Sequence, residues 1–261
     1  NKKSVAVTWG GTTFTYNNTQ QGPTASATSG VTGETLNITR TTAIDAGTYT
    51  STATLSSVTG GQGKTSNYTL TGTTKQFTIN KANATNPTLT SVSKTYDGTA
   101  LSITSTGGSG GTIYYKTSEN NSSWSAWTTT KPSRTNAGTT YVRAYVSADS
   151  NHNSTSETSS YTISISKREV SITWGTTTTF TYNNTNQAPT ISYTSPVSGQ
   201  TLNITRSTAI DAGTYTSTAT LNSVTNGSTN NYTLTNTTKQ FTINKKSVAV
   251  TWGGTTFTYN N

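Results

Sequence analysis

The six residues DAGTYT occupy positions 45–50 and return unchanged at 211–216, and a looser version, NAGTTY, stands at 136–141. The stretch behind the phrase decides the fold. Tyr49, Ser51, Ala53 and Leu55 alternate with Thr50, Thr52 and Thr54, the period-two pattern of a strand with one wet face. β-branched threonine suits that wet face. Val5, Val7 and Trp9, Phe14 and Tyr16, Leu36 and Ile38, and Phe77 and Ile79 alternate in the same way. GG, NN, QGP and DG separate these runs as turns. No segment has a convincing helical period, so the chain reads as all-β sandwiches.

The phrase recurs because the whole chain repeats. Residues 3–80 and 167–244 match almost throughout: TLNITR at 35–40 and 201–206, NYTLT at 67–71 and 231–235, TTKQFTIN at 73–80 and 237–244. The offset falls from 166 residues at Asp45 and Asp211 to 164 at Asn80 and Asn244, so residues 60–65 form a loop that tolerates length change. The middle stretch is a more distant relative. Its TYDGT at 95–99 answers TYNNT at 15–19 and 181–185, and its YTISIS at 161–166 answers FTIN. Residues 244–261 then repeat residues 1–18 letter for letter. The expected division is therefore 1–80, 81–166 and 167–243, with 244–261 as the first strands of a further repeat.

Composition fits small half-buried β units. Hydrophobic residues make up 28% of the 261, too few for one large core, and charged residues only 10%, unlike a charge-rich disordered chain. The net charge is +9, but the 17 basic residues scatter from Lys2 to Lys246 without forming a dense stripe, so no nucleic-acid partner is expected. With no cysteine there are no disulfides, and no apolar run is long enough for membrane insertion.

Asp-x-Gly-x-Tyr entering a strand resembles the tyrosine corner of immunoglobulin-like sandwiches, where the hydroxyl bonds back to the turn. Arg40 and Arg206 each lie five residues before the aspartate. The expected structural corner is thus Arg40, Asp45 and Tyr49, with Arg206, Asp211 and Tyr215 in the second copy. VTWGGTTFTY, TLNITR, DAGTYT, NYTL and a closing FTI together resemble the MBG and YDG repeat families of bacterial surface proteins. The middle stretch, with YYK, WTTTKP and NAGTTYVRAYVS, resembles related bacterial immunoglobulin-like repeats. The resemblance implies tandem arrays in secreted, surface-displayed adhesins or matrix proteins, with no catalytic residues to carry over.

Chemistry offers little else. His152 is the only imidazole and lies in a polar run, which suits an exposed loop; no hydrolytic triad can be assembled around it. Eight acids in no paired motif predict neither catalysis nor a metal, and basic junctions argue against calcium. An isopeptide bond would cast Lys3 or Lys167, Asn80 or Asn244 and Asp45 or Asp211 as partners. Glu34 cannot be its general acid, since the second copy has Gln200, and no cross-link or cofactor is expected. Tyr114, Tyr115, Trp124 and Trp127 are the densest aromatic set. They read as core, or alternatively as a glycan-stacking face of a binding array. Sequons such as those at Asn37, Asn67, Asn83, Asn203 and Asn231 permit glycosylation. With junctions such as FTIN–KANA almost linker-free, the expected molecule is an extended rod of tandem modules: a spacer on a bacterial surface or in an extracellular matrix. Its expected partners are further copies of the repeat, with host or matrix glycans or proteins met through other domains.

Overall fold

The computed structural model describes every residue except Ser195, Pro196, Thr255 and Asn261. Among the described residues all regular structure is β, apart from two 3-10 turns at Thr65–Asn67 and Thr229–Asn231. The chain gathers into two compact units. One comprises Asn1–Ser91, Ile103–Pro132 and Tyr141–Thr162; the other comprises Val92–Ser102, Ser133–Thr140 and Ile163–Asn261. Residues of the middle segment thus contribute to both units.

The two outer segments build the same sheets in the same register. A four-stranded sheet runs in the order Thr13–Thr15, Thr74–Asn80, Gly47–Thr59, Thr35–Arg40, and its counterpart in the order Thr179–Thr181, Thr238–Asn244, Gly213–Thr225, Thr201–Arg206. The first pair in each is parallel and the others are antiparallel. The hairpin register slips between Asn37 and Ile38, and again between Asn203 and Ile204, a β-bulge kept in both copies. Lys3–Ala6 pairs in parallel with Tyr68–Thr71, as Arg168–Ser171 does with Tyr232–Thr235. In the middle segment Val92–Thr95 runs parallel to Tyr161–Ser166, and Ile113–Ser118 runs antiparallel to Gly138–Val146.

The alternation in sequence becomes alternation in burial. Ser51 and Ala53 are buried and Tyr49 and Leu55 half-buried, while Thr50, Thr52 and Thr54 face solvent. Ser51 is fully buried yet satisfied, because its hydroxyl donates to the Thr41 carbonyl at 2.7 Å; Ser217 repeats the bond to Ser207 at 2.6 Å. Trp9 and Trp174 each donate Nε1–H to a backbone carbonyl, of Gly72 and Asn236, at 2.8 Å. Those two acceptors share the left-handed conformation that a tight turn requires.

TYNNT and TYDGT prove to be one device. Asn17, Asp97 and Asn183 each accept from the backbone N–H and the hydroxyl of the threonine two residues on, an Asx turn. The intervening Asn18, Gly98 and Asn184 all have positive φ, which explains why Asn and Gly interchange there. In each case the preceding tyrosine, Tyr16, Tyr96 or Tyr182, donates its N–H at 2.9 Å to the last strand of its segment.

Two sequence expectations need correction. The described residues of 245–260 form no strand, and Val248, Val250, Trp252, Phe257 and Tyr259 are 72–90% exposed. Residues 1–18 are strands because 68–71 and 78–80 hold them; no described residue pairs with 245–260 in that way, and a lone apolar strand pair is marginal in water. His152 is not an exposed loop residue either. It is half-buried and paired with Ala82 in a short parallel ladder.

Candidate functional site

The DAG and NAG turns lie beside the Asx-turn tyrosines, and two of the three are occupied by an asparagine from the next segment. In the first unit, Asn151 Oδ1 accepts the Ala46 N–H at 2.8 Å while its Nδ2 donates to Asp45 Oδ1 at 3.0 Å. In the second unit, Asn231 Oδ1 accepts the Ala137 N–H at 2.8 Å and its Nδ2 donates to Asn136 Oδ1 at 3.0 Å. One carboxamide satisfies a donor and an acceptor at once, which neither a carboxylate nor an ammonium could do.

The residue after each asparagine completes the contact. His152 meets Tyr16 edge to face at 5.2 Å, and Tyr232 meets Tyr96 edge to face at 5.5 Å. His152 is held by Asp149, whose oxygen lies 3.0 Å from Nδ1. The Lys81 ammonium closes the first contact by donating to the Asp149 carbonyl at 2.6 Å. At the second, Gln200 accepts from the Tyr232 hydroxyl and donates to the Tyr96 hydroxyl at 2.8 Å. The Glu34-to-Gln200 difference between the outer copies therefore has a reason. Glu34 only accepts from the Tyr68 hydroxyl, whereas Gln200 must also donate. The Tyr68 hydroxyl is pushed up first by its bond to the Glu34 carboxylate, and the Tyr232 hydroxyl first by burial, so both stay protonated donors.

A shared core backs the second contact. Tyr96 and Ile165 from the middle segment pack with Val170, Leu202 and Tyr232 from the third. Asn231 itself is fully buried. Apolar burial of this kind resists hinge opening.

The corner expected from sequence is present in part. The Tyr49 hydroxyl donates to the Asp45 carbonyl at 3.0 Å, with its ring 5.6 Å from Phe77; Tyr215 packs on Phe241 at the same distance. Both rings are half-buried rather than deeply enclosed. The Arg–Asp pairing does not form: among the described residues no ion pair joins Arg40 to Asp45 or Arg206 to Asp211. Arg40 lies opposite Ala53, six residues along the Gly47–Thr59 strand from the point where the turn at Asp45 enters it, so the strand's rise sets the two backbones roughly 20 Å apart. Asp45 accepts from Asn151 instead. The middle segment replaces the tyrosine with Arg134, whose guanidinium donates to the carbonyls of Asn136 and Ala137. Replacing Tyr49 with phenylalanine should lower stability by about 1 kcal/mol in urea denaturation, the worth of one hydroxyl bond; no change would mean the bond is idle.

The aromatic set divides. Tyr115 is buried, its hydroxyl 2.9 Å from Ser105, so that ring has no face for a sugar. Tyr114 stacks on Tyr145, and Trp127 meets Tyr145 edge to face at 4.6 Å. Arg143 and Lys116 cover Trp124 at 4.5 and 5.3 Å, and Lys116 also covers Trp127 at 4.6 Å. Glu157 bridges the two cations.

Two of the isopeptide candidates are otherwise engaged, Lys3 donating to the Gly30 carbonyl at 3.0 Å and Asp45 accepting from Asn151. Among the described residues no three His, Asp or Glu side chains gather to hold a metal ion. The Asp97 carboxyl sits well below its ordinary 3.8, first because of Lys94 and then because of Thr99. Glu157 is lowered first by Lys116, and Asp149 is lowered because hydrogen bonds from Asn151 and His152 outweigh its desolvation. Carboxylates lowered in the fold contribute stability above their unfolded values, and that stability is lost as pH falls through the folded ones. The melting temperature should therefore decline steadily below about pH 4; a flat profile to pH 2 would show these contacts to be energetically silent.

Scans against protein-family models and against curated proteins find no match to this chain.

Proposed function

We propose that the chain is a structural segment, a stalk or fibre piece of a bacterial extracellular repeat protein, and that its work is spacing rather than catalysis. Its segments are immunoglobulin-like modules of the MBG and YDG type, displayed at a cell surface or in an extracellular matrix. The observation that carries the reading is the doubled asparagine-to-turn contact, made with the same distances at two successive places in one chain. A spacer needs its joints fixed, and each joint here uses a bidentate carboxamide with an aromatic pair beside it, one of them backed by a continuous core.

The competing reading, a glycan-binding array, is supported by Tyr114, Trp124 and Trp127, which are half-buried and keep part of their surface in solvent. A glycan screen of the intact chain separates the two. A spacer binds nothing, and binding that is lost on Trp127→Ala would favour the array. Solution scattering tests the spacer directly: tandem sandwiches about ten residues of strand in length give a maximum dimension on the order of 100 Å, and a compact particle would refute the reading.

A further inference from the structure

Three DAG-type turns stand in the chain, and among the described residues two of them hold an asparagine. Ala46 and Ala137, in the occupied turns, are half-buried, whereas Asp211 and Ala212 of the third turn are exposed. No described side chain bonds to the third turn as Asn151 and Asn231 do to theirs. There are likewise three asparagine–aromatic steps. Asn151–His152 and Asn231–Tyr232 are docked, but Asn67, in the same 3-10 turn as Asn231, is exposed. Among the described residues, therefore, one turn has no docked asparagine and one asparagine of matching chemistry docks on no turn.

We propose that residues 211–213, with Tyr182 and Lys245, form a receptor site for the Asn67–Tyr68 edge of a second copy of this chain. Copies would then join head to tail by the contact that already links segments within each copy. The turn, the tyrosine and the lysine of the occupied contacts each have a counterpart. Tyr182, Asp211, Ala212 and Lys245 line one cleft. Tyr182 stands in its Asx turn as Tyr16 and Tyr96 do, with the same 2.9 Å backbone bond. Lys245 follows its last strand as Lys81 does, and Lys81 donates to the carbonyl two residues before the docking asparagine. In a second copy that carbonyl belongs to Thr65.

The chemistry selects a carboxamide. An Asn67 oxygen would accept the Ala212 N–H while its amide donates to the Asp211 carboxylate; an aspartate there would repel Asp211, and a lysine offers no acceptor. Glu34, which takes the place of Gln200 beside the aromatic edge, can accept the Tyr182 hydroxyl just as it accepts that of Tyr68. This inference does not require the spacer reading, since a binding array could associate in the same way.

Sedimentation equilibrium of the intact chain tests it, from micromolar to millimolar in about 0.15 M salt, which screens the repulsion between cationic copies. The average mass should climb above the 27.5 kDa of one chain as concentration rises. Asn67→Ala should weaken association about tenfold, as loss of one bidentate contact implies. Ala212→Pro, which deletes the donor N–H, should do the same. Asp211→Asn should leave association intact, because Asn136 already fills that place in an occupied turn. Circular dichroism checks that each variant is folded, and Asn67→Ala, at an exposed site, keeps the test open should Ala212→Pro fail to fold. A chain that stays at 27.5 kDa to millimolar concentration would overturn the proposal. So would association indifferent to Asn67→Ala, which would point to clustering of the exposed Val248, Val250, Trp252, Phe257 and Tyr259. Neither result touches the spacer reading, which the scattering of the single chain decides.

Discussion

Truncating Asn231 to alanine should lower the unfolding free energy by about 3 kcal/mol, while the same change at Asn67 should move it by less than about 0.5 kcal/mol. The two residues have the same identity, the same flanking tyrosine and the same 3-10 turn. They differ in what they meet. Asn231 is fully buried and makes both carboxamide bonds, to Ala137 N–H and Asn136 Oδ1, whereas Asn67 is exposed. Removing the buried side chain forfeits two bonds of about 1 kcal/mol each. It also leaves the Ala137 donor without its acceptor, a desolvation cost of about 1–3 kcal/mol that relaxation and water entry reduce. Asn151, half-buried in the equivalent contact, should fall between the two. Asn151→Asp should be worse than Asn151→Ala, because it sets a second carboxylate against Asp45 where the amide now donates at 3.0 Å. Urea denaturation of the four variants measures the series. Equal losses at Asn67 and Asn231 would show that the asparagine serves its own turn and not the neighbouring segment.

The strands and turns were legible because they are local. Alternation from Tyr49 to Leu55 follows from the two-residue period of a strand, and the Asx turns follow from Asn or Asp placed two residues before threonine. Asp-x-Gly identifies the turn at 45–47, but the arginine five residues before it is not the partner of Asp45, which accepts from Asn151. A sequence interval of five says nothing about distance until the backbone path is known, and here Arg40 lies opposite Ala53, six residues along the strand that the turn enters. The docking asparagines were out of reach for the opposite reason: Asn151 lies 106 residues from Asp45 and Asn231 lies 95 from Asn136. One signal did exist. NYTL recurs at the start of a strand in both outer copies, and Asn151–His152 stands at the matching place in the middle one. Read as a third asparagine–aromatic step, it would have drawn His152 out of the polar run that disguised it. The Glu34-to-Gln200 difference was visible too, but its meaning depends on Tyr96, which no local pattern connects to residue 200.

The largest loss is expected at Tyr96. Its replacement by alanine should cost about 3–5 kcal/mol, the range for deleting a buried aromatic ring. Tyr96 is 3% exposed, meets Tyr232 edge to face, and accepts a bond from the Gln200 amide at 2.8 Å. Packed around it are Ile165 from its own segment and Val170 and Leu202 from the next. The cavity would therefore open inside a core that both segments line, and neither could relax without disturbing the other. Tyr96→Phe keeps the ring and should lose only about 1 kcal/mol, leaving the Gln200 amide short of an acceptor. Hydrogen exchange distinguishes a shared core from two adjoining ones. With Tyr96→Ala, amides in Val92–Thr95 and in Arg168–Ser171 should lose protection together, because the opening that exposes one strand exposes the other. Loss confined to Val92–Thr95 would mean that the third segment holds its core unaided, and that the joint is a contact between finished sandwiches instead of a continuation of one core into the next.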